Sequence, residues 1–370
     1  MIMKKIAILH TGGTVSSYYD DKKGGVSTKY TAKDILNLYP EIKHIAKIES
    51  RLIQNMWSQD TRFSHYNLLA KEVEKEVKNG AEGVIITHGT DFMHYTSSAL
   101  AFILENCPIP VIITGSQRSS DRGSSDAKLN LICACQFIVN SNYQGVGICM
   151  HESTNDDACL ILHPTKTRKF HTSRRDAFKV VNGKPIARVT SQGNVGFIGK
   201  HNKSEDKKLK LKLFDDKLKI GIVKVHPNMF AEELLFYKNY DGLVIEAPGL
   251  GNLPTTKLDK ETIEHEKILD TLKTLAKKMP VVLAPQTIFG RLNLHVYSNQ
   301  PIYQEIGLLG NHSDMTSETT FLKLAWLLSN YKKDEIPKLI TKNFRDEISP
   351  RTSLDYLDYV YFKKILLKQI

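Results

Sequence analysis

The 370-residue chain carries 51 lysine and arginine residues against 40 aspartate and glutamate residues, a formal net charge of +11, with 41% hydrophobic and 25% charged side chains. These are the proportions of an ordinary soluble globular protein, and the length exceeds what one hydrophobic core comfortably serves, so two domains are expected. No apolar run approaches the roughly 20 residues of a membrane span, and Met1-Ile2-Met3-Lys4-Lys5 enters a strand at once with no room for a signal peptide, which predicts a cytoplasmic protein.

In chain order, Ile6-Ala7-Ile8-Leu9 predicts a buried strand over 4–9, followed by the turn Thr11-Gly12-Gly13-Thr14 and a polar loop containing Gly24-Gly25. Residues 32–39 read as a helix opened by Thr31 and closed at Pro40. A helix near 64–79, with Leu68, Leu69, Val73 and Val77 on one face, ends at Gly80. Strand 83–87, a helix near 91–105, strand 109–114, a helix near 125–140 and strand 145–150 follow. This alternation predicts a parallel sheet covered on both faces. The charged stretch 199–219 reads as a linker or exposed hairpin between domains, 1–198 and 220–370. Beyond it, strands at 220–223, 242–245 and 281–284, a helix over 259–278 and a helical region from Ser317 complete an α/β chain of two doubly wound domains.

The five cysteines show no zinc-like spacing and the 13 histidines no His-x-x-x-His or His-x-His pair, so buried reduced thiols and no metal centre are expected. Lys203, Lys207, Lys208, Lys210, Lys212, Lys217 and Lys219 crowd one stretch. Without interleaved aromatics they read as a solvated surface rather than an RNA-binding site.

Three predicted strands end in small hydroxyl-and-glycine turns: Thr11-Gly12-Gly13-Thr14, Thr87-His88-Gly89-Thr90-Asp91 and Thr114-Gly115-Ser116-Gln117. Open α/β sheets bind ligands at the carboxyl ends of their strands, so the three turns point to one pocket, and the threonines to a hydroxyl nucleophile. The first two turns resemble the signature motifs of the asparaginase/glutaminase superfamily of threonine amidohydrolases, a likeness that runs through nearly the whole chain. Arg118-Ser119-Ser120-Asp121-Arg122, the stretch from Lys169-Phe170-His171 to Ala177-Phe178, and Gly290-Arg291-Leu292-Asn293 with Val296-Tyr297-Ser298 are more similar to the D subunits of archaeal glutamyl-tRNA(Gln) amidotransferases. The resemblance implies an asparaginase-like fold, a homodimer, and a glutaminase that supplies ammonia to an E-type subunit amidating Glu-tRNA(Gln). ATP and Mg are then expected on that partner, since no phosphate-cradling Gly-x-x-x-x-Gly-Lys-Ser/Thr loop occurs here.

An amide is a poor electrophile, and a covalent acyl intermediate divides its barrier in two. The resemblance makes Thr14 the nucleophile and Thr90, Asp91 and Lys169 its proton relay, with glycine-turn N–H groups, Gly13 included, receiving the oxyanion. A lysine removed from water loses proton affinity and a nearby carboxylate restores it, so such a pair tunes proton transfer. Lys166 and Arg168 are rival cations; the spacing to Phe178 favours Lys169, with Lys166 as the fallback. Ser58 and Gln59 in Trp57-Ser58-Gln59-Asp60 resemble the segment that holds the amino-acid head group, with Asp91 on its ammonium; taken singly, Ser58 reads as a turn or N-cap residue.

Tyr18 and Tyr19 receive no catalytic role, because their loop, with Asp20-x-x-x-Gly24-x-Val26, has amidotransferase spacing; its glycines suit a lid. Gly249-Leu250-Gly251-Asn252 lacks the third glycine of a dinucleotide fingerprint, and the resemblance implies a place near a neighbouring subunit's active site. His88 and His94 read as packed or hydrogen-bonded residues, and Arg118, Arg122, Arg174 and Arg175 as partners in structural ion pairs. The D subunits carry a small domain ahead of the first motif, whereas here the strand begins at residue 4; this departure keeps a free-standing cytoplasmic L-asparaginase as the alternative. A non-catalytic ligand- or RNA-binding α/β protein is a remote third reading, against which the set Thr14, Thr90, Asp91 and Lys169 argues.

Overall fold

The computed structural model describes residues 3–13, 17–20, 25–28, 34, 37–199 and 208–352, with only the backbone described over 17–20 and 25–28. The chain divides into two compact units, one of residues 1–180 and 184–216, the other of 181–183 and 217–370. Of the helix read over 32–39, residues 32, 33, 35 and 36 lie outside the described residues, while 34, 37 and 38 are helical.

The first unit opens with β1 (Lys5–Gly12), the hairpin β2 (Ser17–Asp20) and β3 (Gly25–Thr28), and β4 (Lys47–Met56). Helix α1 (Phe63–Lys78), β5 (Gly83–Thr87), α2 (Met93–Ile103), β6 (Leu104–Glu105) and β7 (Pro110–Thr114) follow. Then come α3 (Ala127–Asn140), β8 (Gly145–His151), β9 (Ala158–Leu162), β10 (Thr167–Lys169) and β11 (Phe178–Val180). Strands β12 (Ala187–Thr190), β13 (Val195–Phe197) and β14 (Lys210–Leu211) end the unit. Eight of these strands form one sheet in the order β13-β12-β9-β8-β7-β5-β1-β4.

From β4 to β8 the sheet is parallel, and its central strands are apolar and buried on both faces, as helix-covered parallel strands must be. The last three pairings are antiparallel, so the sheet is mainly parallel, as expected. Only residues 152–157 join β8 to β9. A parallel return needs a crossover of a dozen or more residues, so the chain turns back as a hairpin.

Two readings are corrected. Leu68 is exposed; the buried face of α1 is Tyr66, Leu69, Ala70, Val73 and Glu76, and Glu76 is accommodated by accepting hydrogen bonds from Arg51 Nε and Nη2 at 3.0 and 2.6 Å. Residues 208–216, within the stretch read as a linker, belong to the first unit: β14 pairs antiparallel with β6, and Asn67 holds Phe214 through both backbone groups. Lys203 and Lys207 of the basic stretch lie outside the described residues.

The second unit is built on β15 (Ile220–Lys224), α4 (Ala231–Leu235), β16 (Gly242–Ala247), α5 (Glu264–Lys278), β17 (Val281–Pro285), α6 (Pro301–Glu305), α7 (Ser317–Asn330) and α8 (Ile336–Leu339). Its three strands form a parallel sheet in chain order. Their apolar side chains pack with Ile268, Leu272 and Leu275 of α5. No helix among the described residues is long and apolar enough to cross a membrane.

Candidate active site

Strand order reverses at β1. The chain leaves β1 for β4 on one side, then recrosses to β5, β7 and β8 on the other. A crevice opens at the carboxyl ends of the strands at such a reversal. The first two turns follow β1 and β5, the strands that flank it.

Close contacts show how the turns meet. A β-carbon on Gly13 would stand 2.5 Å from Gly89 N, and one on Gly89 would stand 2.9 Å from Ser58 Oγ. The first turn, the second turn and the segment after β4 therefore touch at positions that only glycine permits. The third turn joins them: His88 N donates to Thr114 O at 2.8 Å, and a β-carbon on Gly115 would lie 3.2 Å from Thr90 Cγ2. Buried Asp126 fixes that turn by accepting from Gln117 N at 3.0 Å and Arg118 N at 3.2 Å, while Asn130 Nδ2 donates to Gly115 O at 2.9 Å. Ser116 Oγ and Gln117 Nε2 are buried with no hydrogen-bond partner among the described residues, which leaves polar capacity for a ligand at the third turn.

Lys169 comes to this point on the hairpin of β10 and β11. Its register partner is Phe178, almost fully buried, which pins the strand. Lys169 Nζ donates to Thr90 Oγ1 at 2.9 Å and to Asp91 Oδ1 at 2.8 Å. The lysine side chain is 11% exposed and the aspartate 66%, so the cation is sheltered while the carboxylate reaches solvent. Because Thr90 Oγ1 accepts from the lysine, its own proton is free to be donated elsewhere. The rival Arg168 is adjacent on the same strand, so alternation turns it to the opposite face. Lys166 lies before the strand and is buried.

Ser58 opens a single helical turn after β4 and is buried; its Oγ accepts from Phe92 N at 3.2 Å, steadying the start of α2 while it abuts Gly89. Gln59 is exposed beside it. Gly13, Ser58, Gln59, Thr90, Asp91 and Lys169 thus fall in one region of the first unit. Thr14 lies outside the described residues, as do residues 21–24 of the loop read as a lid.

His88 is fully enclosed, with Nδ1 2.7 Å from Gly89 O and Nε2 3.0 Å from Thr96 Oγ1. His94 is buried against Tyr95. Arg174 pairs with Asp176, and Arg175 with Asp156, while Arg118 donates to the Ser124 hydroxyl. All five cysteines are free and buried. Among the described residues no group of three or more His, Cys, Asp or Glu side chains is arranged to hold a metal.

Sequence reasoning missed His10, buried with Nδ1 2.8 Å from Thr87 Oγ1 and Nε2 2.8 Å from Ser50 Oγ. Burial pushes both His10 and His88 down to about 4, from 6.5. A folded pKa below the unfolded value means the unfolded chain binds more protons between the two. Stability is therefore full above about 6.5 and falls on acidification towards 4, by about 1.4 kcal/mol per pH unit for each histidine. Urea unfolding midpoints are expected to drop clearly between pH 7 and pH 5; equal midpoints would show that these rings titrate normally.

Comparison with known proteins agrees with this architecture. The family model for the asparaginase N-terminal domain matches residues 5–202, and that for the glutaminase/asparaginase C-terminal domain matches 219–339. The chain is 40% identical over 358 residues to the D subunit of glutamyl-tRNA(Gln) amidotransferase from Methanococcus maripaludis, covering 95% of this chain and 82% of that protein. The corresponding Pyrococcus abyssi protein is 37% identical over 359 residues, with 95% and 78% covered. Among solved structures, the thermostable L-asparaginase from Thermococcus kodakarensis superposes with a TM-score of 0.79 at 29% identity, covering 93% of this chain and 99% of that one. With both family models matched in succession and such identity sustained along nearly its whole length, the chain belongs to the asparaginase/glutaminase family.

Proposed function

We propose that the chain is the glutaminase subunit of a tRNA-dependent amidotransferase, hydrolysing glutamine or asparagine and supplying ammonia to an E-type partner that converts Glu-tRNA(Gln) to Gln-tRNA(Gln). Thr14 Oγ attacks the side-chain carboxamide carbon, the C–N bond breaks, and the nitrogen leaves as ammonia after taking up a proton. Water then cleaves the acyl-threonine, releasing the acid and restoring the hydroxyl. Thr90, Lys169 and Asp91 move the protons. Ser58, Gln59 and Asp91 hold the amino-acid head group, and Gly13 offers backbone N–H to the oxyanion.

The observation that carries this reading is the single ammonium of Lys169 bonded to both the Thr90 hydroxyl and the Asp91 carboxylate at the strand-order reversal. The chemistry needs no cofactor in this chain; ATP and Mg serve the partner. Identity of 40% to an amidotransferase relative, against 29% to the L-asparaginase that superposes on the fold, favours the tRNA-coupled role over a free-standing L-asparaginase. We place the working enzyme in the cytoplasm as a homodimer.

The test is ammonia release from glutamine and from asparagine, by the chain alone and with the E-type subunit and Glu-tRNA(Gln). Glutamine turnover is expected to rise about tenfold or more with the partner, on the scale of ordinary allosteric coupling. Brisk asparagine hydrolysis indifferent to the partner would instead establish a free-standing asparaginase.

A further inference from the structure

We infer that His10 is a positioning residue whose imidazole braces the first and second turns against each other; the inference rests on the amidohydrolase reading of the site. His10 follows Ile8 and Leu9 in the buried strand β1, where an apolar side chain would be the ordinary choice. It stands between two parallel neighbours, opposite Leu52 on β4 and Thr87 on β5. Nδ1 bonds the Thr87 hydroxyl and Nε2 the Ser50 hydroxyl, both at 2.8 Å, so one ring ties three strands together. Thr11 Oγ1 adds a bond to Thr87 O at 2.9 Å.

The position is where such a brace is needed. The pairing of β1 with β4 shifts register between His10 and Gly12, so the regular ladder stops fixing the strand just before the first turn. Thr87 is the last residue of β5, one step before His88-Gly89-Thr90-Asp91. Side-chain bonds from His10 and Thr11 to Thr87 take over where the ladder lapses. Both ring nitrogens are already engaged by hydroxyls, so the ring holds geometry and leaves substrate chemistry to others.

The test compares His10→Phe, His10→Asn, His10→Gln and Thr87→Val in the full chain. The asparagine amide occupies the place of Nδ1 and reaches Thr87; the glutamine amide extends toward the Nε2 side; phenylalanine fills the volume and bonds nothing. His10→Phe and Thr87→Val are each expected to lower kcat about 100-fold, the scale of a 1 Å misplacement, with KM within about threefold. His10→Asn is expected to recover most of kcat and His10→Gln little. The double variant His10→Phe/Thr87→Val should be no worse than either single one, because the Nδ1–Thr87 bond that carries the effect is lost in all three. Equal kcat across the histidine variants, losses that follow unfolding midpoints alone, or additive losses in the double variant overturn the inference. Thr87→Val, isosteric with threonine, keeps the test open if His10→Phe does not fold. If the unmodified chain with its partner hydrolyses neither amide, the functional reading fails instead.

Discussion

Replacing Lys169 by methionine is expected to lower ammonia release from glutamine by about 1,000-fold, within the 100- to 10,000-fold range of positioned acid–base groups, while the unfolding midpoint changes little. Methionine keeps most of the apolar stem and removes the ammonium. Thr90 Oγ1 then loses the donor at 2.9 Å that orients it, and Asp91 loses its partner at 2.8 Å. Asp91 is 66% exposed, so water re-solvates it and the broken pair costs stability at most about 1 kcal/mol. A large kinetic loss on an almost unchanged fold is the signature of a group in the reaction. Lys169→Arg is not expected to rescue: the guanidinium stays charged and its planar fork cannot take the place of a single Nζ between a hydroxyl and a carboxylate. Arg168→Met, on the other face of the strand, should leave turnover near normal. If Lys169→Met retained turnover within about tenfold of the unmodified chain, the proton relay would have to be sought elsewhere, with buried Lys166 the next candidate.

What the sequence made legible follows from burial. The strands carrying the three turns are apolar on both faces, so Ile6–Leu9, Val84–Ile86 and Val111–Ile113 stand out as uninterrupted runs, and the glycines and hydroxyls that end them mark the site. Strand β4 does not stand out, because it is the edge of the sheet and none of its residues is fully buried; Glu49 and Arg51 interrupt any apolar pattern. Strands β10 to β13, three or four residues each, are shorter than any periodicity can reveal.

The meeting of Lys169 with Thr90 and Asp91 joins positions 79 and 78 residues apart. No spacing rule predicts that, and the family likeness alone singled out Lys169 over its neighbours. His10 and Asn130 did leave a signal: each is a polar residue where a buried run calls for an apolar one. Such a residue can hold a turn from beneath, as Asn130 holds Gly115.

Gly13→Ala tests whether the contact of the first two turns makes the site. Gly13 has φ of +73°, a left-handed conformation that costs an alanine roughly 1–2 kcal/mol. Strain is the smaller part of the effect. The new methyl would stand 2.5 Å from Gly89 N, 2.7 Å from Gly89 Cα and 3.0 Å from the His88 carbonyl carbon, all backbone atoms that no rotamer change can move aside. The turns must separate, and a shift near 1 Å between nucleophile and relay costs about 100-fold in rate. Gly80→Ala supplies the control: φ there is +77°, yet nothing lies within 4 Å of the added carbon. Both variants are expected to lower the unfolding midpoint through the same backbone strain, and only Gly13→Ala to lose amide hydrolysis as well. Unchanged turnover in Gly13→Ala would mean that the close approach of Gly13 to Gly89 is a feature of packing, and that the two turns act without touching.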